Sequence, residues 1–229
     1  MKNKKLYLLA LASWLFANQV WASLVMDATR YIYKGETETL TLTVTNNAEV
    51  AFGAQMWVEN IVENDTRPTF IVTPPFYKIK EESKQVVRVM KVSDHLPTDK
   101  ESIYWLNLQE IPPKQEGSGL ALAIRTRVKL IYRPEGLDAA RKGAEQGIKI
   151  EYLPGEQWLV NSTPYIFAIG DVSDVNGKPI AFTEAEVNNL AMFMPGDRIN
   201  ITGHKVNAFW SLNDNGVAEE HILKDTKWN

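Results

Sequence analysis

The sequence contains no cysteine. This absence excludes disulfide bonds, cysteine nucleophiles and cysteine-based metal sites, so the fold must be stabilised by its hydrophobic core alone. Histidine is scarce too, and the three that occur, His95, His204 and His221, lie far apart without metal-ligand spacing. No phosphate-binding loop, dinucleotide fingerprint or nucleophile elbow is present. The sequence therefore gives no support for an enzyme, and we expect no cofactor and no bound metal.

An excess of positive charge is also missing. Lysine and arginine together number 25 against 28 aspartates and glutamates, which gives a formal net charge of −3. Nucleic-acid binding requires concentrated lysine and arginine. We therefore expect no nucleic-acid partner.

The sequence has no apolar run that could cross a bilayer, which takes about 20 residues. The apolar run Leu6 to Phe16 is shorter than this, and it follows the basic residues Lys2, Lys4 and Lys5. A small-x-small cleavage pattern, Val20-Trp21-Ala22, comes next. This organisation predicts a signal peptide over residues 1–22, export to the periplasm and no membrane insertion, with a retained anchor as the alternative.

Alternating polar and apolar residues indicate β-strands along most of the remaining chain. Thr39 to Thr45 is one example, and about seven such segments, separated by turn residues, precede residue 135. Spacing of this kind is typical of an immunoglobulin-like sandwich. Leu24 to Tyr33 and Leu120 to Tyr132 are each predicted to be a single strand.

A change in composition divides the chain near residue 140. Residues 137–147 contain few apolar positions and two glycines, which predicts a linker or a short helical hinge. Strand patterns then resume at residues 148–152, 165–172, 185–190, 198–202 and 206–212. We therefore predict an all-β protein with an N-terminal domain over residues 23–139, a linker over 140–147 and a second, smaller β domain over 148–229.

The run from Leu120 to Tyr132 has two different faces. Its first alternate apolar residues are Leu120, Leu122 and Ile124, and the cations that follow on the other face are Arg125, Arg127 and Lys129. A core strand with a solvated basic face is the simplest interpretation. Arg30 is a second unusual cation, because it lies in a strand that is otherwise apolar.

The segment Leu96 to Pro113, LPTDKESIYWLNLQEIPP, resembles position for position the signature of the periplasmic pilus-assembly chaperones of the chaperone–usher family. Weaker matches accompany it in the same order along the chain: Thr29-Arg30, Val72 to Pro75, Lys129 to Pro134, Asn161 to Tyr165, Met194-Pro195 and Asn213-Asp214. The resemblance implies two immunoglobulin-like domains in a boomerang arrangement. It also implies a chaperone of the periplasm that holds pilin subunits by donor-strand complementation and delivers them to an outer-membrane usher.

The resemblance also implies roles for particular residues. Leu120, Leu122 and Ile124 would form the donor strand, Arg30 and Lys129 would bind the C-terminal carboxylate of the subunit, and Glu101, Arg133 and Asp214 would form an ion network between the domains. A strand with an exposed edge can also pair with a second copy, so a self-capping dimer is a further expectation. A secreted adhesin or fibre subunit and a periplasmic hydrolase are the alternatives, although the sequence shows no hydrolase site.

Overall fold

The computed structural model describes residues 23–61, 68–114 and 122–223. The signal peptide predicted over residues 1–22 and the donor-strand residue Leu120 lie outside the described residues. In the described part, the first half of the chain forms strands β1 (Leu24–Met26), β2 (Arg30–Lys34), β3 (Thr39–Asn46), β4 (Phe52–Asn60), β5 (Phe70–Thr73), β6 (Phe76–Ile79), β7 (Lys84–Lys91), β8 (Ser102–Ile111) and β9 (Arg125–Arg133). The second half forms β10 (Ile148–Leu153), β11 (Glu156–Asn161), β12 (Ala168–Asp174), helix α1 (Glu184–Ala191), β13 (Arg198–Asn200), β14 (Val206–Leu212) and β15 (Ala218–Ile222).

The first nine strands form a two-sheet sandwich. One sheet has the order β1-β3-β7-β5, and the other has the order β2-β9-β8-β4-β6. Alternate residues of both sheets meet in one buried cluster, to which Leu42 and Val87 contribute from the first sheet and Leu106 and Leu130 from the second. The period-two patterns of the sequence therefore correspond to the inward faces of these sheets.

The prediction of a single strand from Leu24 to Tyr33 is wrong, because the chain changes sheets within it. The Asp27 carboxylate accepts hydrogen bonds from the Thr43 backbone N–H at 3.1 Å and from the Tyr31 hydroxyl. These bonds lie where β1 ends, and the chain then crosses to the other sheet. There β2 pairs in parallel with β9, from Arg30 opposite Lys129 to Lys34 opposite Arg133.

The edge of β9 is therefore only partly covered. Strand β8 pairs with β9 along one side, from Ser102 opposite Tyr132 to Gln109 opposite Arg125. On the other side β2 reaches only as far as Lys129. Among the described strands, none pairs with this side of β9 over residues 125–128.

A second, smaller sandwich follows, with sheets of order β10-β11-β13 and β12-β14-β15. Its buried core includes Phe167, Phe193 and Phe209. The prediction of an all-β chain with two immunoglobulin-like domains is thus confirmed. Two short 3-10 segments, Asp138–Ala140 and Ala144–Gly147, lie within the stretch 137–147 that has few apolar residues, while the domain boundaries themselves stay a prediction.

The strand predicted over residues 185–190 is wrong, because these residues lie in the helix α1. Thr183 and Glu186 form a capping box at its start, in which the side chain of each residue accepts a hydrogen bond from the backbone N–H of the other. This exchange satisfies two N–H groups that lack partners at a helix start. Within the described residues, no helix is both long and apolar enough to cross a membrane.

A small apolar cluster joins the two sandwiches. Ile103 and Ile131, on the outer face of the five-stranded sheet, are buried together with Ile166, which precedes β12. The half-buried Met192 and Met194, after α1, pack against them. The polar residues on the outer face of β2 and β9 are therefore held next to the second sandwich.

Candidate functional site

Arg30 and Lys129 lie side by side where the two sandwiches meet. They are directly opposite each other in the parallel pairing of β2 and β9. Arg30 is only 9% exposed, and its Nη1 donates to the Leu212 carbonyl at 3.2 Å. The Lys129 Nζ donates to the carbonyl of Ala191, at the C-terminal end of α1. Both cations thus bridge from the first sandwich to backbone carbonyls of the second.

The surroundings of these two cations disfavour their charges. Burial, followed by the repulsion of Arg30, lowers the pKa of Lys129 to about 8. Burial also lowers the pKa of Arg30, against the attraction of Asp214. The Arg30 Nε is buried without a hydrogen-bond partner among the described residues, and an unsatisfied buried donor costs about 1–3 kcal/mol. An anion that reached this pair would reduce the repulsion between the two cations and accept a hydrogen bond from the Arg30 Nε.

The structure brings Glu101, Arg133 and Asp214 into one network. The guanidinium of Arg133, which is 2% exposed, donates from Nε to Glu101 Oε1 at 2.6 Å and from its two Nη atoms to Asp214 at 2.7 and 2.9 Å. The second oxygen of Glu101 accepts the Ile166 N–H at 2.7 Å. These bonds connect β9 and the residue that precedes β8 with two segments of the second sandwich.

The pKa values of the network reflect burial and pairing together. Burial lowers the pKa of Arg133, but its hydrogen bonds to Asp214 and its attraction to Glu101 raise it by more. Burial raises the pKa of Asp214, but the Arg133 hydrogen bond and the attraction of Arg133 and Arg141 together lower it by more, so that the net shift is downward. For Glu101 burial exceeds the attraction of Arg133, and its pKa is raised. The aspartate and the arginine therefore stabilise each other in their charged forms.

The sequence reasoning missed four residues in and around the linker that lie next to this network. Asp138 accepts from Arg133 Nη1 at 3.0 Å, and Arg141 donates to Glu145 at 2.6 Å. The Arg141 guanidinium also lies over the ring of Tyr165, 5.6 Å from its centroid. The spacing of four residues between Arg141 and Glu145 was a signal for their pair. No local pattern pointed to Asp138 or Tyr165.

The inward-facing apolar residues of β9 and of the segment before it become steadily more exposed toward the N-terminal end. Leu130 is completely buried in the first core, Val128 is half-buried against it, and Leu122 is 66% exposed. The prediction that the strand begins at Leu120 is not met by the described residues, since β9 begins at Arg125. The Ile124 carbonyl nevertheless accepts the Glu110 N–H at 2.9 Å, so the strand direction continues toward Leu122.

Known proteins resemble this chain over most of its length. The family model described as "Pili and flagellar-assembly chaperone, PapD N-terminal domain" matches residues 23–138. Chaperone protein FaeE of Escherichia coli is 54% identical over 96% of this chain and 85% of its own length. The periplasmic chaperone SfaE has 27% sequence identity to this chain, and its crystal structure matches 88% of this chain and all of its own with a TM-score of 0.69. The SafB chaperone of Salmonella enterica, solved in complex with the SafA pilin, has the same fold, with 23% identity and a TM-score of 0.70 over 90% of this chain and 99% of its own.

Proposed function

The chain belongs to the family of pilus-assembly chaperones, and on this basis we propose that it holds pilin subunits with the exposed start of β9 and anchors them at Arg30 and Lys129. It is a non-enzymatic chaperone that caps subunits by donor-strand complementation and delivers them to an outer-membrane usher. In this proposal residues 1–22 direct export to the periplasm. The domains extend over 23–139 and 148–229 on either side of the linker 140–147.

The uncovered edge of β9 supports strand addition. Backbone groups on this side of residues 125–128 are available to an added strand, because β2 ends its pairing at Lys129. Leu122 and Ile124 share the strand face of the core residues Val128 and Leu130. An incomplete sandwich placed against this edge would therefore receive apolar side chains that continue the chaperone's own core. Each aliphatic side chain that is fully buried contributes about 1.5–3 kcal/mol.

The pair Arg30 and Lys129 is the observation that carries the proposal. It lies at the point where the free edge of β9 ends, between the two sandwiches. A subunit strand whose terminal carboxylate reaches this pair must enter from the exposed end of β9, so it runs parallel to β9. Two cations on one carboxylate give charge-assisted hydrogen bonds. They also fix the register, and a slip of one residue would turn every subunit side chain to the wrong face.

The network around Arg133 supports the anchor indirectly. It joins Glu101, just before β8, to the segment at Ile166, and β9 to Asp214, which follows β14. Leu212, the last residue of β14, provides the carbonyl that Arg30 contacts. We propose that this network holds the second sandwich in the position that leaves both anchor cations accessible to the subunit.

Co-expression with a pilin of the neighbouring genes tests the proposal. The chaperone should co-purify with the pilin one to one, and Arg30→Ala or Lys129→Ala should abolish the complex while the variant remains folded. Loss of one partner of a desolvated charge pair costs about 2–5 kcal/mol. Arg125→Ala is the matched control, because Arg125 lies on the same strand face but already pairs with Glu59. Full recovery of pilin with either anchor variant would contradict the carboxylate assignment.

A further inference from the structure

The outer face of the five-stranded sheet carries two arginines whose guanidinium groups lie over tryptophan rings. The Arg125 guanidinium lies 4.8 Å from the ring centroid of Trp57, and that of Arg127 lies 4.4 Å from the ring centroid of Trp105. A guanidinium on an aromatic ring is attracted by the ring and held in one orientation. Its later hydrogen bonds then cost less side-chain entropy.

The two arginines differ in what else they contact. Arg125 donates to Glu59 at 2.6 Å and to Asn107 at 3.1 and 2.8 Å, and Glu59 is held in place by the Trp57 indole N–H. Arg127 is exposed and donates no hydrogen bond to a described residue. Arg125 is therefore satisfied within the sheet. Arg127 likewise lies over an indole ring, and its donors are available to a partner.

Arg127 lies on the path that a bound subunit would follow. It precedes Lys129 by two residues on the same face of β9, a separation of about 7 Å along a strand. Trp105, which supports Arg127, is directly opposite Lys129 in the pairing of β8 and β9. A strand that ends at Lys129 and runs parallel to β9 passes Arg127 one or two residues before its own C-terminus.

Four neighbouring cations lie on this face, Arg125, Arg127, Lys129 and Arg30. Glu59 forms a salt bridge with Arg125, and Asp214 attracts Arg30. The paired cations near the domain junction are assigned above to the subunit's terminal carboxylate. The planar guanidinium of Arg127 keeps its donors available, and it can bind a second carboxylate with two parallel hydrogen bonds.

We infer that Arg127, oriented by Trp105, selects pilin subunits that carry an aspartate or glutamate at the second or third position from the C-terminus. This rests on the proposed function, because the subunit strand must first be anchored at Lys129. The terminal carboxylate then gives the register, and the side chain near Arg127 distinguishes one subunit from another.

Peptides that imitate the end of a subunit provide the test. The probe is a fluorescently labelled peptide of alternating valine and threonine with a free C-terminal carboxylate. It carries glutamate at the second or third position from the end, and matched peptides carry glutamine there. Binding to the purified chaperone is measured by fluorescence polarisation. The preferred glutamate peptide should bind about tenfold more tightly than its glutamine counterpart, as expected for one hydrogen bond to a charged group.

Variants of the chaperone separate the selection of glutamate by Arg127 from the anchoring of the C-terminal carboxylate at Lys129. Arg127→Gln should remove the preference for glutamate and leave the affinity for the glutamine peptide unchanged. Trp105→Leu should reduce the preference, and Arg125→Gln should preserve it. Equal binding of both peptides to the unmodified protein, or a preference that survives in Arg127→Gln, would overturn the inference. Binding that is insensitive to amidation of the peptide C-terminus and to Lys129→Gln would instead show that the anchor itself is wrong.

Discussion

Replacement of Leu122 by glutamate should separate subunit capture from folding. Leu122 is 66% exposed, so about two thirds of the ~1.5–3 kcal/mol available from its burial is gained only in the complex. The Leu122→Glu variant loses this term, and the complex must also bury an unpaired carboxylate, which costs several kcal/mol more. A combined loss above about 4 kcal/mol weakens binding roughly a thousandfold. Pilin should therefore no longer co-purify.

The stability of the free chaperone should hardly change. An exposed substitution typically alters the free energy of unfolding by less than about 0.5 kcal/mol, which is about 2 °C in melting temperature for a chain of this size. Leu130 is the matched control, because it lies on the same face of the same strand and is completely buried. Leu130→Ala should cost about 2–5 kcal/mol.

Thermal melting followed by circular dichroism, together with pilin co-purification, gives both readouts. The interpretation of Leu122 as a donor residue fails if Leu122→Glu melts as early as Leu130→Ala. It also fails if the variant retains full pilin binding.

Three further predictions follow from the anchor, the network and the strand exchange. Binding of the subunit carboxylate needs protonated Lys129. The pKa of Lys129 is about 8 in the free protein, and a bound anion raises it. The affinity for the subunit is therefore highest below pH 8 and falls as the pH rises. Between pH 7 and 9 the affinity for pilin should fall about tenfold, whereas in Lys129→Arg it should stay flat; equal pH profiles would refute this. Arg133→Met leaves Glu101 buried without its cation and should lower the free energy of unfolding, measured in urea, by about 3–5 kcal/mol. Adding Glu101→Gln to the same chain should recover part of this loss. Three independent surface charges would not give this recovery. Finally, a peptide that copies a pilin's N-terminal extension should release the chaperone from its subunit slowly and without ATP, as followed on a native gel, and release that depended on added nucleotide would contradict a downhill exchange.

Local sequence patterns were sufficient to predict the fold class and the family. The segment Leu96 to Pro113 carried the resemblance, and the alternation in Thr39 to Thr45 and Val206 to Leu212 corresponds to the observed strands β3 and β14. These signals are local, because a side-chain period of two and a fixed run of identities are properties of neighbouring residues. The roles of Arg30, Lys129 and the donor residues stay predictions that the experiments above address.

The tertiary structure decided which segments meet. Alternation does not specify a pairing partner, so the sequence did not show that the chain changes sheets after β1 or that Arg30 would lie opposite Lys129. The helix α1 had a local signal in its capping box, but its short apolar pattern was compatible with a strand. Asp138 joined the Arg133 network because the segment between β9 and the linker folds back close to β9. Such contacts depend on how distant segments pack around two cores, and this information is distributed over the whole chain.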